Sequence, residues 1–237
     1  MRLGLVALVM IACGGGASQH DDAKGPDAPP AVPSGCITEV SAGDHTFTCS
    51  GLRVDARIPD ACTSPGCGLI LELHGDTGSG LLMDGHTNLR ELAAQHGYVV
   101  IAPSGPPYGA RQPGSTWHAT NDAALVEMVQ LFASVFRVDP KKIHVTGFSR
   151  GGFVTWRLLC DHPDLFASAA PAGAGDGTAF GEPTCFTPGR APARKLPIVF
   201  LMGRTDASVG YASMARLTSP QRRPKTRRMQ RHQPLPR

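Results

Sequence analysis

The sequence predicts an α/β fold in which helices cover both faces of a mostly parallel sheet. Two observations support this prediction. Short apolar runs rich in Val, Ile and Leu stop at turn residues, as strands that are buried on both faces do. Segments with helical spacing of their apolar residues alternate with these runs, which is the order that βαβ units produce.

Each predicted element is placed by its apolar spacing and by the residues that end it. The predicted strands are, in order, 46–58, 68–73, 98–102, 143–146, 167–170 and 197–202. The predicted helices are 88–96, 121–136 and 153–160. His74-Gly75 ends the second strand, Pro103 closes the third, and Asn121 or Asp122 is expected to cap the second helix.

The composition is that of a globular protein and excludes several other classes. The 237 residues are 41% hydrophobic and 18% charged, which rules out a disordered or fibrous chain. The formal net charge of +4 becomes −4 once the eight basic residues of 216–237 are set aside, so the basic balance is no argument for nucleic-acid binding. No apolar run approaches the roughly 20 residues of a membrane-spanning helix, and an integral membrane protein is therefore not expected.

The first residues have the plan of an export signal. A positive charge at Arg2 precedes an apolar stretch that ends at Ala12, directly before Cys13. The small residue and the glycines around Cys13 resemble the bacterial lipoprotein signal, in which this cysteine is lipidated and becomes the mature N-terminus. We therefore expect a signal at 1–12, a flexible linker at 13–35, and a protein that is extracellular or lipid-anchored at the bacterial cell envelope. An ordinary secretion signal cut elsewhere is the alternative.

Six cysteines follow Cys13, and an even number in an exported chain argues for disulfides. They are Cys36, Cys49, Cys62, Cys67, Cys160 and Cys185. Proximity in the sequence favours the pairs 36–49, 62–67 and 160–185, although other connectivities are possible. Metal binding is the competing interpretation, but no second cysteine pair at ligand spacing occurs and the histidines never form His-Glu-x-x-His. We therefore predict no metal site.

The most informative segment, residues 147–151, reads Gly-x-Ser-x-Gly between a predicted strand and a predicted helix. A serine hydroxyl is a poor nucleophile unless a base takes its proton and the backbone presents it. A sharp strand-to-helix turn presents the serine, and small flanking residues let neighbouring backbone pass close to it. The helix N-terminus also stabilises negative charge on a substrate oxygen. The segment predicts Ser149 as a catalytic nucleophile, with an ordinary glycine-rich turn as the alternative.

A second glycine-rich loop, residues 74–80, directly follows the predicted strand 68–73. The Lys-Ser/Thr pair of a phosphate-binding loop is absent, and so are the glycine spacing and the downstream acid of a dinucleotide site. A phosphate-binding or dinucleotide-binding loop is therefore not favoured here. An oxyanion loop is the better interpretation, with the backbone N–H of Asp76 acting together with that of Arg150. Asp76 as a plain turn residue is the alternative.

An acidic residue, Asp206, follows the last predicted strand. Its position fits the chain order Ser…Asp…His of one known catalytic triad arrangement. A buried carboxylate there would orient an imidazole and stabilise its charged form. The alternatives are a turn aspartate at this position and Asp176, a weaker candidate because it lies in an Ala/Gly-rich loop.

These segments together resemble a known enzyme family. The likeness rests on Leu73-His74-Gly75, Gly78-Ser79, Asn121-Asp122 and the segments 145–152 and 160–167, and it covers roughly residues 45–212. They look like the secreted polyhydroxybutyrate depolymerase and feruloyl esterase group of the α/β-hydrolases. The resemblance implies ester hydrolysis through an acyl-enzyme, without metal or cofactor. It also implies Ser149 as nucleophile, Asp206 as acid, and Asp76 with Arg150 as the oxyanion hole.

The end of the sequence departs from this family, whose histidine follows one more strand. After about Met214 the chain is rich in Arg, Pro and Gln and has no apolar periodicity. We therefore expect the α/β-hydrolase domain, 36–214, to lack the last strand and helix, and 215–237 to form a disordered basic tail. His232, the one histidine after Asp206, is the candidate base, although its surroundings resemble nothing in the family.

The predicted function is thus an exported serine carboxylester hydrolase that acts on a polyester or an acyl ester. Contact with a membrane is expected through the lipid anchor alone, and no nucleic-acid partner is expected. Two alternatives stay open: a catalytically impaired or dead remnant of such a hydrolase, and a surface-binding lipoprotein built on the same fold.

Overall fold

The computed structural model describes residues 31–63, 66–109, 112–175 and 193–209. The strands of its main sheet are β1 (Gly43–Cys49), β2 (Leu52–Ile58), β3 (Gly68–Leu73), β4 (Tyr98–Pro103), β7 (Ile143–Phe148) and β8 (Ser168–Ala172). They lie in the order β1-β2-β4-β3-β7-β8. β1 and β2 pair antiparallel, β2 meets β4 antiparallel, and the other four strands run parallel. The predicted mostly parallel sheet is confirmed, and the predicted segment 46–58 is an antiparallel hairpin.

The helices are α1 (Gly80–Thr87), α2 (Leu89–Ala94), α3 (Asp122–Val135) and α4 (Arg150–Asp161). Short 3-10 helices cover Asp60–Thr63, Ala119–Asn121 and Pro140–Lys142, and a separate hairpin is formed by β5 (Pro107–Gly109) and β6 (Gln112–Ser115). The sequence did not predict α1. Ser79 starts it, because its hydroxyl oxygen accepts a hydrogen bond from Leu82 N at 3.2 Å, and Asn88, at a φ of 53°, separates it from α2.

The two long helices bury different amounts of their surface. In α3 the buried residues recur every three or four positions, which is the pattern of a helix with one face on a sheet. They are Leu125, Met128, Val129, Phe132 and Val135. In α4 every residue from Gly151 to Leu159 is buried. This helix begins at Arg150 rather than at the predicted residue 153, because packing on both sides overrides the poor helix propensity of Gly151-Gly152.

The predicted strand at 197–202 adds to the sheet next to β8. Bridges pair Ala169 with Ile198 and Ala172 with Leu201 in parallel orientation. Ala169 N donates to Pro197 O at 3.1 Å. The segment therefore pairs with β8 in the expected parallel orientation through two isolated bridges, and the residues that follow it emerge at the carboxyl edge of the parallel strands.

The disulfide predictions have mixed outcomes. Cys36 and Cys49 are bonded, with their Cα atoms 5.2 Å apart, as predicted. Cys160 is disulfide-bonded, and its predicted partner Cys185 lies outside the described residues.

The predicted 62–67 pair is wrong, because Cys62 and Cys67 are buried free thiols. Each thiol is directed to a separate backbone carbonyl, that of Gly97 at 3.5 Å for Cys62 and that of Phe136 at 3.8 Å for Cys67. The neighbouring Cys67 thiol and burial raise the pKa of Cys62, which keeps this thiol protonated.

Several predicted segments fall outside the described residues. These are the signal at 1–12 with Cys13, most of the linker at 13–35, and the basic tail at 215–237. Within the part of the chain that is described, no helix combines the length and apolar character needed to cross a membrane.

A buried ion pair joins the two long helices. The Arg157 guanidinium donates from Nε to Asp122 Oδ2 at 2.8 Å and from Nη2 to Asp122 Oδ1 at 2.9 Å. The Arg157 side chain is only 1% exposed, so both its charge and its donors depend on the partners that the fold provides. Asp122 is the first residue of α3, which ties the start of that helix to the middle of α4.

Removing one partner of this pair should destabilise the protein strongly. Asp122→Ala removes the carboxylate that accepts from Arg157 Nε and Nη2, and we expect the free energy of unfolding to fall by about 3–5 kcal/mol in urea denaturation. Asp44→Ala is the control, because Asp44 pairs with Arg57 at 2.8 Å but is 58% exposed. That variant should lose less than about 1 kcal/mol. Equal losses in the two variants would contradict this account.

A second buried charge lies on β3. Glu72 is fully buried beneath α1, and the Thr87 hydroxyl donates to its Oε1 at 2.6 Å. Its Oε2 has no hydrogen-bond partner among the described residues. Burial raises the pKa of Glu72 to about 7, and the Thr87 hydrogen bond and the Arg90 charge only partly oppose this shift. The folded protein therefore binds a proton here that an unfolded chain releases near pH 4.5.

The raised pKa makes the stability of the protein depend on pH. Between about pH 4.5 and 7 the folded state holds more protons at Glu72 than the unfolded state, so the free energy of unfolding falls as the pH rises. Glu72→Gln removes this effect while keeping an acceptor for Thr87. We expect its stability relative to the wild type to improve by an amount on the order of 3 kcal/mol between pH 5 and pH 8, measured by urea denaturation.

Comparing the free energy of unfolding of the wild type with that of Glu72→Gln at each pH isolates the contribution of Glu72. Burial lowers the pKa of His74, so that histidine makes the fold less stable as the pH falls below about 6.5, which is the opposite slope. The His74 contribution is common to both proteins and cancels in the difference. A difference that stays constant from pH 5 to 8 would contradict the buried-acid interpretation.

Candidate active site

Ser149 occupies the turn between β7 and α4, and its backbone is held in an unusual conformation. Its φ is 51° and its ψ is −116°, outside the regions that a non-glycine residue normally adopts. Two hydrogen bonds hold it there: Ser149 N donates to Ala172 O at 2.9 Å, and Ser149 O accepts from Phe153 N at 3.1 Å. The first bond fixes the turn to β8 and the second starts the helix. The side chain is half-buried at the carboxyl edge of the sheet.

Glycines around this turn let three backbone segments touch. A Cβ on Gly147 would overlap the carbonyl oxygen of Gly151, and a Cβ on Gly151 would overlap that of Leu73. Any larger residue at either position would push α4 away from the ends of β3 and β7. The two glycines of the Gly-x-Ser-x-Gly segment are therefore required by packing in this structure.

The loop after β3 lies directly against Ser149. A Cβ placed on Gly75 would stand 3.3 Å from the Ser149 Cβ, so the loop backbone runs beside the serine. The loop turns back where Gly78 N donates to Gly75 O at 3.1 Å, with Thr77 at a φ of 61°. The residues predicted to form an oxyanion hole, Asp76 and Arg150, thus flank Ser149 from two different elements.

The side chains of these two residues also meet, which the sequence did not predict. Arg150 Nε lies 3.4 Å from Asp76 Oδ1. The same carboxylate oxygen accepts a hydrogen bond from the hydroxyl of Thr116, a buried residue just after β6. No sequence signal links Asp76 to Arg150, because 74 residues separate them and the contact exists only in the folded chain.

His74 packs under the loop and is not available as a base. Its Nδ1 donates to Gly75 O at 2.7 Å, while its Nε2 accepts from Gly105 N at 3.0 Å. This pattern requires the neutral ring, and burial lowers the pKa of His74 in agreement with it. The Trp117 indole donates to His74 O at 3.0 Å, and the two rings lie 4.8 Å apart. His74 therefore supports the loop from below.

Asp206 follows the extended segment at 197–201, at the same edge of the sheet as Ser149. Its Oδ1 accepts hydrogen bonds from Ser208 N and Val209 N, each at 2.9 Å. This carboxylate caps a turn, as the turn interpretation expects, and its catalytic role stays a prediction. In the described ranges, no imidazole is hydrogen-bonded to Ser149 or Asp206. The rival acid Asp176 and the candidate base His232 lie outside those ranges.

A cavity of about 240 Å³ opens between the loop after β3, α1 and Ser149's neighbour Phe148. Its lining residues are His74, Gly75, Asp76, Thr77, Gly78, Leu82, Met83, His86 and Phe148. Leu82 and Phe148 are each 52% exposed and give the cavity an apolar rim. Leu82, Met83 and His86 were missed in the sequence because α1 was not predicted, although Ser79 followed by an apolar run at 81–83 is a helix-start signal.

The described residues offer no site for a metal ion, since no group of three or more His, Cys, Asp or Glu side chains converges there. The Ser149 hydroxyl and the backbone N–H groups of the neighbouring loop and helix are the polar groups at this turn. They suit a nucleophilic attack on a carbonyl carbon with stabilisation of the resulting oxyanion.

Known proteins with similar sequences are esterases. Feruloyl esterase B of Neurospora crassa is 29% identical over 157 residues, which cover 62% of this chain and 53% of the fungal protein. Acetylxylan esterase A of Talaromyces purpureogenus is 28% identical over 158 residues, which cover 61% of this chain and 39% of that protein. The chain thus spans about half the length of the first relative and less of the second.

Solved structures agree with the fold. Acetyl xylan esterase from Aspergillus awamori is 25% identical and has a TM-score of 0.50, over 61% of this chain and 54% of that chain. Esterase PE8, at 15% identity, shares the fold with a TM-score of 0.52 over 68% of this chain and 79% of that chain. The sequence also matches the family described as alpha/beta hydrolase fold over residues 68–187. Since that match covers half of the chain and the sheet has the expected parallel order, this protein belongs to the α/β-hydrolase family.

Proposed function

We propose that this protein is a serine carboxylester hydrolase that works through an acyl-enzyme. The observation that carries the proposal is the strained turn at Ser149, with a φ of 51°, beside the loop after β3. Strain of this size persists only where surrounding structure holds it, and it is typical of functional sites. The strand–turn–helix position is the one in which hydrolases of this family present a nucleophile.

In the proposed reaction, Ser149 Oγ attacks the carbonyl carbon of the ester and its proton passes to a base. The negative charge that develops on the carbonyl oxygen is stabilised by the backbone N–H groups of Asp76 and Arg150. Collapse of this intermediate breaks the bond to the alcohol, which leaves with the proton from the base. Water then attacks the acyl-enzyme by the same steps and releases the acid. Asp206 would orient the imidazole of the base.

The cavity supports a small or aromatic acyl group as the part of the substrate that is buried. Its volume is about 240 Å³, and Leu82, Met83 and Phe148 supply apolar surface around it. The relatives named as feruloyl and acetylxylan esterases are consistent with such esters. A polyester chain end, which the resemblance to polyhydroxybutyrate depolymerases implies, is the third substrate class to assay.

Export and lipidation are part of the proposal. The disulfide between Cys36 and Cys49 and the bonded state of Cys160 support an oxidising compartment, because structural disulfides rarely persist in a reducing cytosol. The lipid anchor is proposed at Cys13 on the resemblance of residues 1–13 to a lipoprotein signal. The free thiols of Cys62 and Cys67 are buried, where oxidants reach them slowly.

A catalytically impaired hydrolase is the second candidate, and one observation favours it. Among the described residues, no imidazole is hydrogen-bonded to Ser149, and the Asp206 carboxylate accepts hydrogen bonds from the backbone N–H groups of Ser208 and Val209. Without a positioned base, oxyanion stabilisation alone leaves a rate only about 10³–10⁴ above that of water.

The nucleophile assignment predicts a large loss of activity in one variant. Ser149→Ala should lower the turnover of p-nitrophenyl acetate by about 10⁴–10⁶-fold and abolish labelling by a fluorophosphonate probe. Ser134→Ala is the matched control, because Ser134 is an exposed serine on α3, a different element from the turn that holds Ser149. It should keep full activity and labelling. Turnover that survives in Ser149→Ala with an intact fold would refute the assignment.

His232 decides between the two candidates. If His232 is the base, His232→Ala should lose as much activity as Ser149→Ala, and the double variant should lose no more, because residues that act as a unit are not additive. If the chain is impaired, the wild type should turn over slowly and His232→Ala should leave that rate unchanged. Steady-state kinetics of the four proteins on one ester separate these results.

A further inference from the structure

We propose that the side chains of Asp76 and Arg150 form a positioning pair that sets the spacing of the two backbone N–H groups in the oxyanion hole. This inference rests on the proposed function and adds to it a role for two side chains. Neither side chain reacts with substrate. Each belongs to a residue whose backbone N–H is a proposed donor, so a contact between the side chains links the donors themselves.

The geometry supports a link of this kind. Arg150 Nε and Asp76 Oδ1 are 3.4 Å apart, and their side chains are 22% and 36% exposed. The pair is partly exposed, so salt in the solvent screens its attraction in part. Arg150 is the first residue of α4 and Asp76 lies in the loop after β3, so the pair spans the gap between the two elements on either side of Ser149.

A third group anchors the pair to the rest of the fold. The Thr116 hydroxyl donates to the same Asp76 Oδ1 that faces Arg150. Thr116 itself is almost fully buried, and its backbone N donates to Pro106 O at 2.9 Å. A Cβ on Gly105 would overlap the Thr116 carbonyl oxygen, which shows how tightly this segment is packed. The Asp76 carboxylate is therefore held on one side by the packed segment that contains Thr116 and on the other side by Arg150 of α4.

The backbone of the loop is fixed at its ends and less so in its middle. His74 O accepts from the Trp117 indole at 3.0 Å, and Gly78 O accepts from Ser115 N at 3.0 Å. Asp76 lies between these two points, next to Thr77 in the left-handed region. Its carboxylate supplies the contacts that hold the middle of the loop, which is where the proposed N–H donor is located.

The charges predict that removing the Asp76 carboxylate changes kcat in opposite directions with and without the Arg150 guanidinium. A carboxylate beside an oxyanion hole repels the negative charge of the transition state, and the adjacent guanidinium offsets this repulsion. In the wild type, loss of the Asp76 charge removes the link between the donors and should lower kcat. When Arg150 is already replaced by an uncharged residue, the remaining carboxylate only repels, and its removal should raise kcat.

The test is a double-mutant cycle with Asp76→Asn and Arg150→Met on p-nitrophenyl acetate. Asp76→Asn keeps an acceptor for Thr116 and should lower kcat about 10-fold with KM changed less than about 3-fold, a smaller loss than the 10²–10³-fold expected for removing a donor. Arg150→Met should lower kcat about 100-fold, and adding Asp76→Asn to it should recover part of that loss. Asp44→Asn, in the exposed Asp44–Arg57 pair, is the control and should leave kcat unchanged.

Each outcome supports or overturns the assignment. The assignment is supported if Asp76→Asn lowers kcat in the wild type and raises kcat when it is added to Arg150→Met. An Asp76→Asn effect that is absent, that appears in KM alone, or that has the same sign in both backgrounds overturns it. A wild type that neither turns over ester nor labels with fluorophosphonate overturns the proposed function, and this assignment with it. If Asp76→Asn does not fold, Thr116→Val replaces it, and an unchanged kcat in that variant overturns the proposal.

Discussion

The structure around Ser149 depends on the close contact of three backbone segments. The ends of β3 and β7 and the first turn of α4 approach so closely that a side chain at Gly147 or Gly151 would collide with a carbonyl oxygen. This contact gives the turn no room to relax, and the bond from Ser149 N to Ala172 O adds a fourth element, β8. The unfavourable φ of Ser149 is thus maintained by packing that the whole parallel sheet supplies.

Two buried ionisable side chains, Arg157 and Glu72, lie in the elements that carry Ser149 and the loop after β3. Arg157 lies in α4, the helix that Ser149 starts, and its ion pair with Asp122 holds the start of α3 against that helix. Glu72 lies two positions before His74 and contacts Thr87 at the end of α1. The site therefore lies between a permanently charged pair on one face of the sheet and a titrating acid on the other. Changes in either one act on the elements that bear the loop and the serine.

Much of the fold was predictable because its signals are local. The apolar runs at 68–73 and 143–146 mark buried strands, the spacing of Leu125, Val129 and Phe132 marks the face of α3, and Gly-x-Ser-x-Gly marks the turn at Ser149. The parallel order of these strands follows from the alternation of elements. The 36–49 disulfide could be predicted as well, since its two cysteines are close in the sequence and the strand β1 returns the chain to the first of them.

The features that could not be predicted depend on contacts between distant residues. The Asp76–Arg150 pair and the Arg157–Asp122 pair join residues 74 and 35 positions apart, and nothing in either local segment specifies the partner. Cys62 and Cys67 are close in sequence, yet Gly97 and Phe136 provide a carbonyl for each thiol. The helix α1 was missed because its apolar residues, Leu81, Leu82 and Met83, are consecutive and do not recur at helical spacing.

The hydrogen bonds of His74 have a consequence for chemical modification of the protein. Both ring nitrogens are occupied, by Gly75 O and by Gly105 N–H, and the ring is covered by Trp117. Reagents that acylate accessible imidazoles, such as diethyl pyrocarbonate, need a free ring nitrogen and cannot attack this one while the protein is folded. Inactivation by such a reagent, with protection by substrate, would therefore report on a histidine other than His74. Because His74 does not react with such reagents in the folded protein, a modified imidazole can be assigned among the remaining histidines.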